Sequence, residues 1–134
     1  MTSKCRMFDS IQEMHKKFKV PSSLTPKPLS KENYRFRIVA MQEELDEFRE
    51  AVQTEDLAEQ IDALVDLAVF TLGTAEMMGF SWPIHWDEVM NANLAKEVVE
   101  NASESKRGSS IDLKKPPCWE APDHEAIIQT HYQG

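Results

Sequence analysis

The stretch that decides the fold is "EQIDALVDLAVFTLG", which runs from Glu59 to Gly73. Nearly every residue from Ile61 to Leu72 is apolar, and a helix that is apolar on all sides is typical of a domain centre or an oligomer interface. The same stretch carries two aspartates, Asp62 and Asp66, four residues apart. Aspartate is a poor helix former and is rarely buried without a partner. The fold must therefore bring these carboxylates something to bind.

Length, charge and cysteine content narrow the class of protein. A chain of 134 residues suits one domain with its own hydrophobic core. The net charge of -8 argues against a nucleic-acid partner, which normally needs a basic surface, but allows an anionic ligand if a metal supplies positive charge. Two distant cysteines predict a reduced, cytoplasmic protein. No signal peptide is recognised, and no apolar run reaches the roughly 18 residues of a membrane span, so we expect no membrane partner.

Apolar periodicity predicts four helices. The first covers about 3–18, the second about 30–53 and the fourth about 87–101. The third begins at about 54 or 56 and ends at about 79. Ser30 is a candidate N-cap and Gly79 a candidate C-terminal cap. Breaks are expected at "VPSSLTPKP" and "FSWPIHW", where proline interrupts the helical pattern. The predicted buried stripes are Met7, Ile11, Met14 and Phe18 on the first helix, and Tyr34, Ile38, Met41, Leu45, Phe48 and Val52 on the second.

The C-terminal part is polar and rich in proline, and no alternating strand pattern stands out. "NASESKRGSS" predicts a flexible loop, and the following segment is too irregular for a long helix. Trp119, Ile127 and Ile128 are candidates to dock this tail on the body. The expected architecture is one all-α domain over 1–134, with a helical core at about 3–101 and a flexible loop and docking tail at 102–134.

Carboxylates form one row on each of the two central helices. On the second helix, Glu44 and Glu47 lie roughly 60° apart around the axis, flanked by small residues that allow close approach of another helix. On the third helix, Glu59, Asp62 and Asp66 also fall within roughly 60°. Burying ionised carboxylates without a cation is costly, and the third helix has no Lys or Arg. A divalent cation such as Mg²⁺ or Mn²⁺ would join the two rows.

Each acidic residue also has an alternative explanation. Glu43 and Glu50 suit a solvated surface, and Glu59 suits a capping box with Asp56. Asp62 and Asp66 are alternatively paired in a structural ion network with an arginine of the second helix, which carries Arg35, Arg37 and Arg49. The histidines show no zinc-binding spacing.

The two rows, "EELDE" at 43–47 and "EQIDALVD" at 59–66, resemble those of the MazG-like and phosphoribosyl-ATP-pyrophosphohydrolase-like all-α enzymes, which include small versions found in phages. The similarity continues through "LGTAEMMGF", "VMNANLAK" and "KKPPCWEAPD". It implies a bundle of four to five helices that assembles as a homodimer or homotetramer, in the host cytoplasm if the chain is phage-encoded. It also implies Mg²⁺-dependent hydrolysis of a nucleoside triphosphate to the monophosphate and pyrophosphate.

The resemblance also implies roles for individual residues. Glu44, Glu47, Asp62 and Asp66 match the metal-ligand positions, and Glu59 with Asp62 also matches the E-x-x-D of the family, so the partner of Asp62 stays open between Glu59 and Asp66. Glu43 is expected to hold or activate the attacking water, with Glu44 as a further catalytic carboxylate. The residues expected to act on substrate are Lys96, which is also counted as catalytic, Asn93, Lys115, Trp119 and Phe18.

Two other functions remain open at this stage. Phosphoribosyl-ATP hydrolysis would use the same metal chemistry with a different pocket. A non-catalytic helical interaction protein would pair the carboxylates with arginine instead. Lys96 and Lys115 are, in that case, plain surface charges, and Phe18 and Trp119 are core or interface residues.

Overall fold

The N-terminal helix buries one face, and that face differs from the predicted one. The computed structural model describes residues 5–132, so Ser3, the predicted start of this helix, lies outside the described residues. Helix α1 spans Arg6–Lys17 and buries Phe8, Ile11 and His15. These positions are spaced by three and four, as one helix face requires. Of the predicted stripe only Ile11 is buried, because the face is rotated by about one residue; Met7 and Phe18 are exposed.

Two long helices form the centre of the first part of the chain. Helix α2 spans Lys31–Gln53 and helix α3 spans Leu57–Met78, and they pack against each other. Their caps agree with the predicted ones. The Ser30 hydroxyl accepts the Asn33 N–H, and the Asp56 carboxylate accepts the Glu59 N–H, each at 3.1 Å. Since only three residues link the helices, they run antiparallel.

Gly79 ends α3 in a left-handed conformation with φ of 84°. Its N–H donates to Ala75 and Glu76 carbonyls of the last helical turn. The segment between α1 and α2 returns to this point, because Ser23 N–H and Lys27 N–H donate to the Met77 and Met78 carbonyls. A Cβ at Gly79 would lie 2.5 Å from the Ser23 carbonyl oxygen, so glycine is required here for both backbone angle and space.

The buried positions of α2 and α3 are mostly small, and many large apolar side chains stay exposed. The largest core cluster joins Phe8 and Ile11 of α1 to Leu72 and Ala75 of α3. On α2 the buried residues are Arg37, Ala40 and Ala51, and not the predicted stripe. Exposed apolar side chains of these two helices include Phe36, Ile38, Val39, Leu45, Val52, Leu57, Ile61, Leu64 and Val65.

The chain divides into two compact units, Met1–Trp82 and Pro83–Gly134. Helix α4 spans Trp82–Leu94, and all of it after Trp82 belongs to the second unit. The prediction of a helix over 87–101 was therefore wrong at both ends. The predicted break "FSWPIHW" contains the start of this helix, because proline is tolerated in a first helical turn, where its missing N–H is not needed. The division into units does not test the prediction of one domain over 1–134, which stays a prediction.

After α4 the second unit contains short elements that sequence patterns did not indicate. Strand β1, Glu97–Val98, pairs antiparallel with strand β2, Leu113–Lys114. A 3-10 turn, Ala102–Glu104, lies between them. Helix α5 spans His124–His131 and is capped by Asp123. Two-residue strands show no alternation, so only their pairing identifies them.

Within the second unit, Trp119 of the tail contacts α4, and docking of the whole tail on the helical body stays a prediction. The Trp119 indole N–H donates to the Ala92 carbonyl at 2.7 Å. His85 of α4 is buried, and its ring contacts His124 Nδ1 at 2.8 Å and the Tyr132 hydroxyl at 2.9 Å. Burial, followed by the nearby His124, lowers the pKa of His85, so its ring is held neutral. The all-α class is confirmed, with five helices in the described chain.

Candidate metal centre

The packing of α2 on α3 brings carboxylates from both helices together. Glu44 and Glu47 lie on α2 between the buried Ala40 and Ala51, and this row of small residues permits the close approach of α3. Asp62 and Asp66 lie on α3, on either side of the buried Ala63. Glu44, Glu47, Asp62 and Asp66 are called the acidic cluster below.

Glu44 is the most perturbed member of the acidic cluster. Its Oε2 atom is buried and has no hydrogen-bond partner. The pKa of Glu44 is raised to about 7, first by desolvation, then by the neighbouring carboxyl group of Glu47, and then by the negative charges of Asp66 and Asp62. An isolated glutamate titrates near 4.5, so Glu44 holds a proton far more readily than usual. A buried carboxylate oxygen without a partner is a position where a cation would be stabilised.

Asp66 is perturbed by the same neighbours. Its pKa is raised by desolvation, then by the charge of Asp62 and a side-chain hydrogen bond with that residue, and then by the charge of Glu47. After desolvation, every contribution to these two pKa values comes from another carboxylate of the cluster, and three of the contributing pairs join α2 to α3. The four side chains therefore share one electrostatic environment, although Glu47 and Asp62 are exposed to solvent.

The structure provides no protein cation for the acidic cluster within residues 5–132. Arg37 is buried elsewhere, with its Nε donating to Met77 Sδ at 3.1 Å and its charge near Glu76. Arg49 pairs with Asp46 at 3.6 Å on the surface of α2. The structural ion network, which was the alternative explanation for Asp62 and Asp66, is thus not formed in the described part of the chain.

Glu59 and Glu43 lie apart from this electrostatic cluster. The Glu59 N–H binds the Asp56 cap, but the Asp56 N–H donates to the Ala51 carbonyl, so Glu59 does not complete a reciprocal capping box. Its side chain is exposed, and it is not among the groups that shift Glu44 or Asp66. Glu43 is exposed and borders an open cavity of about 330 Å³ on α2 with Phe36. Asp66, rather than Glu59, lies with Asp62.

The acidic cluster fits a divalent cation in charge and in donor chemistry. Carboxylate oxygens are the ligands that hard cations such as Mg²⁺ prefer, and both helices supply them. As the side chains stand, no group of three or more carboxylate, thiol or imidazole ligands among residues 5–132 is arranged for metal binding. Carboxylates that lie this close repel one another when they are ionised, and a bound cation would remove that repulsion.

The residues predicted to bind substrate lie in several places. Phe18 is at the end of α1, exposed, with the Lys17 ammonium 5.5 Å from its ring centre. The others belong to the second unit. Asn93 is half-buried near the end of α4, and the ammonium groups of Lys96 and Lys115 lie 5.2 and 5.0 Å from the ring centre of Trp119. Contact of these residues with a substrate stays a prediction.

Sequence reasoning missed two groups of polar residues in the described chain. One is the buried group of Arg37, His15 and Glu76, in which His15 Nδ1 contacts the Glu76 carboxylate. A Cβ at Gly73 would lie 2.8 Å from Arg37, so the glycine makes room for this group. The other is a set of basic residues around the β1–β2 pair. In the sequence these residues lie in the separate segments "SKRG" and "LKKP", and nothing there indicates that they line one cavity.

Within the described residues, no single helix is long and apolar enough to cross a membrane. The pair of α3 and α4 together has the length and apolar composition of a membrane span, and this is the only respect in which it resembles one.

A helical fold with paired carboxylate rows defines a class of hydrolase that acts on phosphoric anhydrides, the all-α nucleotide pyrophosphohydrolases. The family model for phosphoribosyl-ATP pyrophosphohydrolase matches residues 11–93, which is more than half of the chain and includes the whole acidic cluster. The chain therefore belongs to the phosphoribosyl-ATP pyrophosphohydrolase family and is a nucleotide pyrophosphohydrolase. Members of this family typically use a divalent metal. The match gives no support for a phage origin. No curated protein matches the chain significantly.

Proposed function

We propose that the protein hydrolyses a nucleoside or deoxynucleoside triphosphate to the monophosphate and pyrophosphate, with Mg²⁺ and with Mn²⁺ as a substitute. The single observation that carries this proposal is the orphaned Glu44 Oε2, placed among three further carboxylates in a pyrophosphohydrolase family. A triphosphate is strongly anionic, so the metal-free cluster would repel it, and the same cluster loaded with cations would attract it.

In the proposed mechanism, the metal would be held by Glu44 and Glu47 from α2 and by Asp62 and Asp66 from α3. When bound, a divalent cation neutralises phosphate charge and lowers the pKa of coordinated water. Glu43 adjoins Glu44 on α2, and we assign it to orient the attacking water and accept its proton. The water oxygen would form a bond to phosphorus as the anhydride bond between the α- and β-phosphates breaks. The products are a nucleoside monophosphate and pyrophosphate.

Phosphoribosyl-ATP is the second candidate substrate. Membership of the matching family supports it as well as it supports a nucleoside triphosphate. Its cleavage breaks the same kind of anhydride bond and releases pyrophosphate. The acidic cluster serves both substrates, since it recognises phosphate and metal and not the base. Lys96, Lys115, Asn93 and the aromatic residues Phe18 and Trp119 are the proposed substrate contacts in either case.

A second copy of the chain is the proposed partner. Large apolar side chains of α2 and α3 are exposed in a single chain, among them Ile61, Leu64 and Val65 on successive turns of α3. Exposed apolar surface of this extent is typical of an interaction site, and helices of the same chain offer a matching apolar surface. A homodimer or homotetramer in the cytoplasm is the assembly that we propose.

The decisive experiment incubates the protein with a panel of ribo- and deoxyribonucleoside triphosphates and with phosphoribosyl-ATP, in Mg²⁺ or Mn²⁺, and measures pyrophosphate and orthophosphate. We expect pyrophosphate, lost in Asp62→Asn. Glu50→Gln is the matched control, because Glu50 is an exposed carboxylate on α2 outside the acidic cluster. Orthophosphate as the sole product, or equal loss in both variants, would contradict the proposal.

A further inference from the structure

The second unit contains a cavity whose walls are mostly cationic. The cavity has a volume of about 540 Å³ and lies around the β1–β2 pair and the turn between the strands. Five of its lining residues are basic: Lys96, Lys106, Arg107, Lys114 and Lys115. These five and the cavity that they line are called the basic pocket. The volume falls in the range of about 300–1,000 Å³ that is usual for small-molecule sites.

The positive charge of the basic pocket is only partly neutralised. Glu104 pairs with Lys114 at 3.1 Å, and Asp112 pairs with Arg107 at 2.9 Å. These two acids are the carboxylates that line the cavity. In the part of the chain that the structure describes, Lys96, Lys106 and Lys115 have no carboxylate partner. The chain has 15 Lys and Arg residues and a net charge of -8, so five basic side chains around one cavity oppose the overall charge.

The two ion pairs also hold the wall of the pocket in place. The Ser105 hydroxyl donates to Asp112 at 2.6 Å, and the Leu113 N–H donates to the other oxygen of the same carboxylate at 2.9 Å. The bond from Ser105, followed by that from the Leu113 N–H, holds the pKa of Asp112 below its usual value, so the carboxylate stays ionised and pairs with Arg107. Three donors therefore hold the Asp112 carboxylate, and the cations without a carboxylate partner are left for a ligand.

Trp119 brings two of the unpaired cations together. Its indole N–H is fixed on the Ala92 carbonyl, and the ammonium groups of Lys96 and Lys115 both lie near its ring, at 5.2 and 5.0 Å from the centre. Cation–π attraction holds each lysine near the ring, while the two like charges repel each other. An anion bound to both ammonium groups would remove this repulsion and gain charge-assisted hydrogen bonds.

We propose that the basic pocket binds the phosphate groups of a small anion, such as a pyrophosphate or a nucleotide phosphate chain. A nucleic acid suits it less, because nucleic-acid binding requires a basic surface that follows many phosphates, and the net charge of the chain is negative. Lysine ammonium groups bind phosphate as point charges and arginine binds it through a planar pair of donors, and the pocket has both. The proposal deepens the function proposed above and rests on it for Lys96 and Lys115, which are among the proposed substrate contacts, but binding of pyrophosphate itself requires neither metal nor hydrolysis.

The test is calorimetric titration of the full chain with inorganic pyrophosphate in EDTA at low salt. EDTA removes divalent cations, so the acidic cluster cannot attract the anion. We expect saturable binding that weakens as salt is raised. In the double variant Lys106→Gln/Lys115→Gln the affinity should fall about ten-fold or more, since a charged hydrogen bond contributes about 1.5–3 kcal/mol and about 1.4 kcal/mol is ten-fold. Lys106→Gln alone, at an exposed position, should lose part of that affinity without affecting folding.

The matched control is Lys27→Gln/Lys31→Gln, which removes two exposed lysines that do not line the pocket. Equal affinity in the two double variants, or no binding of pyrophosphate by the wild type in EDTA, would overturn the proposal. The source of the ligand follows from steady-state hydrolysis by the pocket variant with Mg²⁺. If KM rises and kcat is unchanged, the pocket binds the phosphates of the substrate. If KM is unchanged and pyrophosphate binding is weaker, the pocket binds a separate phosphate ligand and Lys115 is not a substrate contact. Both outcomes support a phosphate site.

Discussion

Glu44 of α2 faces Asp66 of α3 closely enough for the charge of Asp66 to contribute to the raised pKa of Glu44. The two carboxylates come from different helices, and no protein cation lies between them within residues 5–132. Their pairing is unfavourable when both carboxylates are ionised, and either a proton on Glu44 or a bound cation would relieve the repulsion. The first three predictions follow from this relationship.

Glu44→Gln should separate stability from activity. A neutral side chain removes a buried, repelled charge, so the variant should melt at a higher temperature than the wild type in EDTA at pH 8. With Mg²⁺, pyrophosphate release should fall at least about 100-fold, because loss of even an indirect metal contact costs about 10–100-fold. Calorimetry and a pyrophosphate assay measure the two effects. Glu50→Gln should change neither, and a lower melting temperature for Glu44→Gln in EDTA would refute the proposed repulsion.

Stability should depend on pH in opposite directions with and without metal. The folded pKa of Glu44, about 7, exceeds its usual value of 4.5, so the folded state binds a proton more tightly than the unfolded state. The contribution of Glu44 in EDTA is therefore most favourable below about pH 4.5 and is lost as pH rises through 7. Metal needs the ionised form, so Mn²⁺ affinity should rise over the same interval. Thermal melts and Mn²⁺ titrations from pH 5.5 to 8 measure this, and Glu44→Gln should flatten both profiles.

The partner of Asp62 on α3 can be decided with two substitutions. Asp66 lies in the acidic cluster and Glu59 does not, so Asp66→Asn should lower kcat/KM about 100-fold or more. Glu59→Gln should retain activity within about three-fold, because its N–H and not its carboxylate binds the Asp56 cap. A Mn²⁺ titration of both variants gives the metal affinity directly. The reverse ranking would assign Glu59 as the ligand and show that the cluster rearranges on metal binding.

Local chemistry explains which features the sequence could predict. Ser30, Asp56 and Gly79 act through neighbours three or four residues away, and each was identified as a cap or as part of a capping box from its residue type alone. The acidic cluster was predictable for a similar reason, since helix periodicity places Glu44 and Glu47 on one row and Asp62 and Asp66 on another. To predict that the two rows meet, it was enough to assume that a short turn joins two antiparallel helices.

The features that were missed depend on contacts distant in sequence. The pairing of β1 with β2 joins Glu97 to Lys114 and leaves no pattern in strands of two residues. The rotation of α1 depends on which face α3 meets, and the apolar periodicity allowed both faces. The burial of Arg37 depends on space at Gly73, on a different helix. Each of these is decided by packing, which a local pattern does not contain.

Gly79 should be far more sensitive to substitution than Gly108, although both have positive φ, 84° and 70°. Alanine at either position is strained by about 1 kcal/mol. At Gly79 its Cβ would also meet the carbonyl oxygens of Ser23 and Thr25 at 2.5 and 2.6 Å, whereas nothing lies within 4 Å at Gly108. We expect Gly79→Ala to destabilise the fold by about 2–4 kcal/mol and Gly108→Ala by about 1 kcal/mol, measured by denaturant unfolding. Equal losses would mean that the Ser23 segment does not pack against the end of α3.

The proposed second copy predicts that charge on the exposed apolar face of α3 dissociates the assembly. Ile61→Glu/Val65→Glu places two carboxylates where the wild type exposes 56% and 57% of two apolar side chains. Burying these charges in an interface costs several kcal/mol, so light scattering should show a shift to monomers. Folding of the single chain should persist, because both positions are exposed within it. Leu24→Glu is the control, since Leu24 is 96% exposed in the loop between α1 and α2. An unchanged oligomeric state in the double variant would place the interface on another surface.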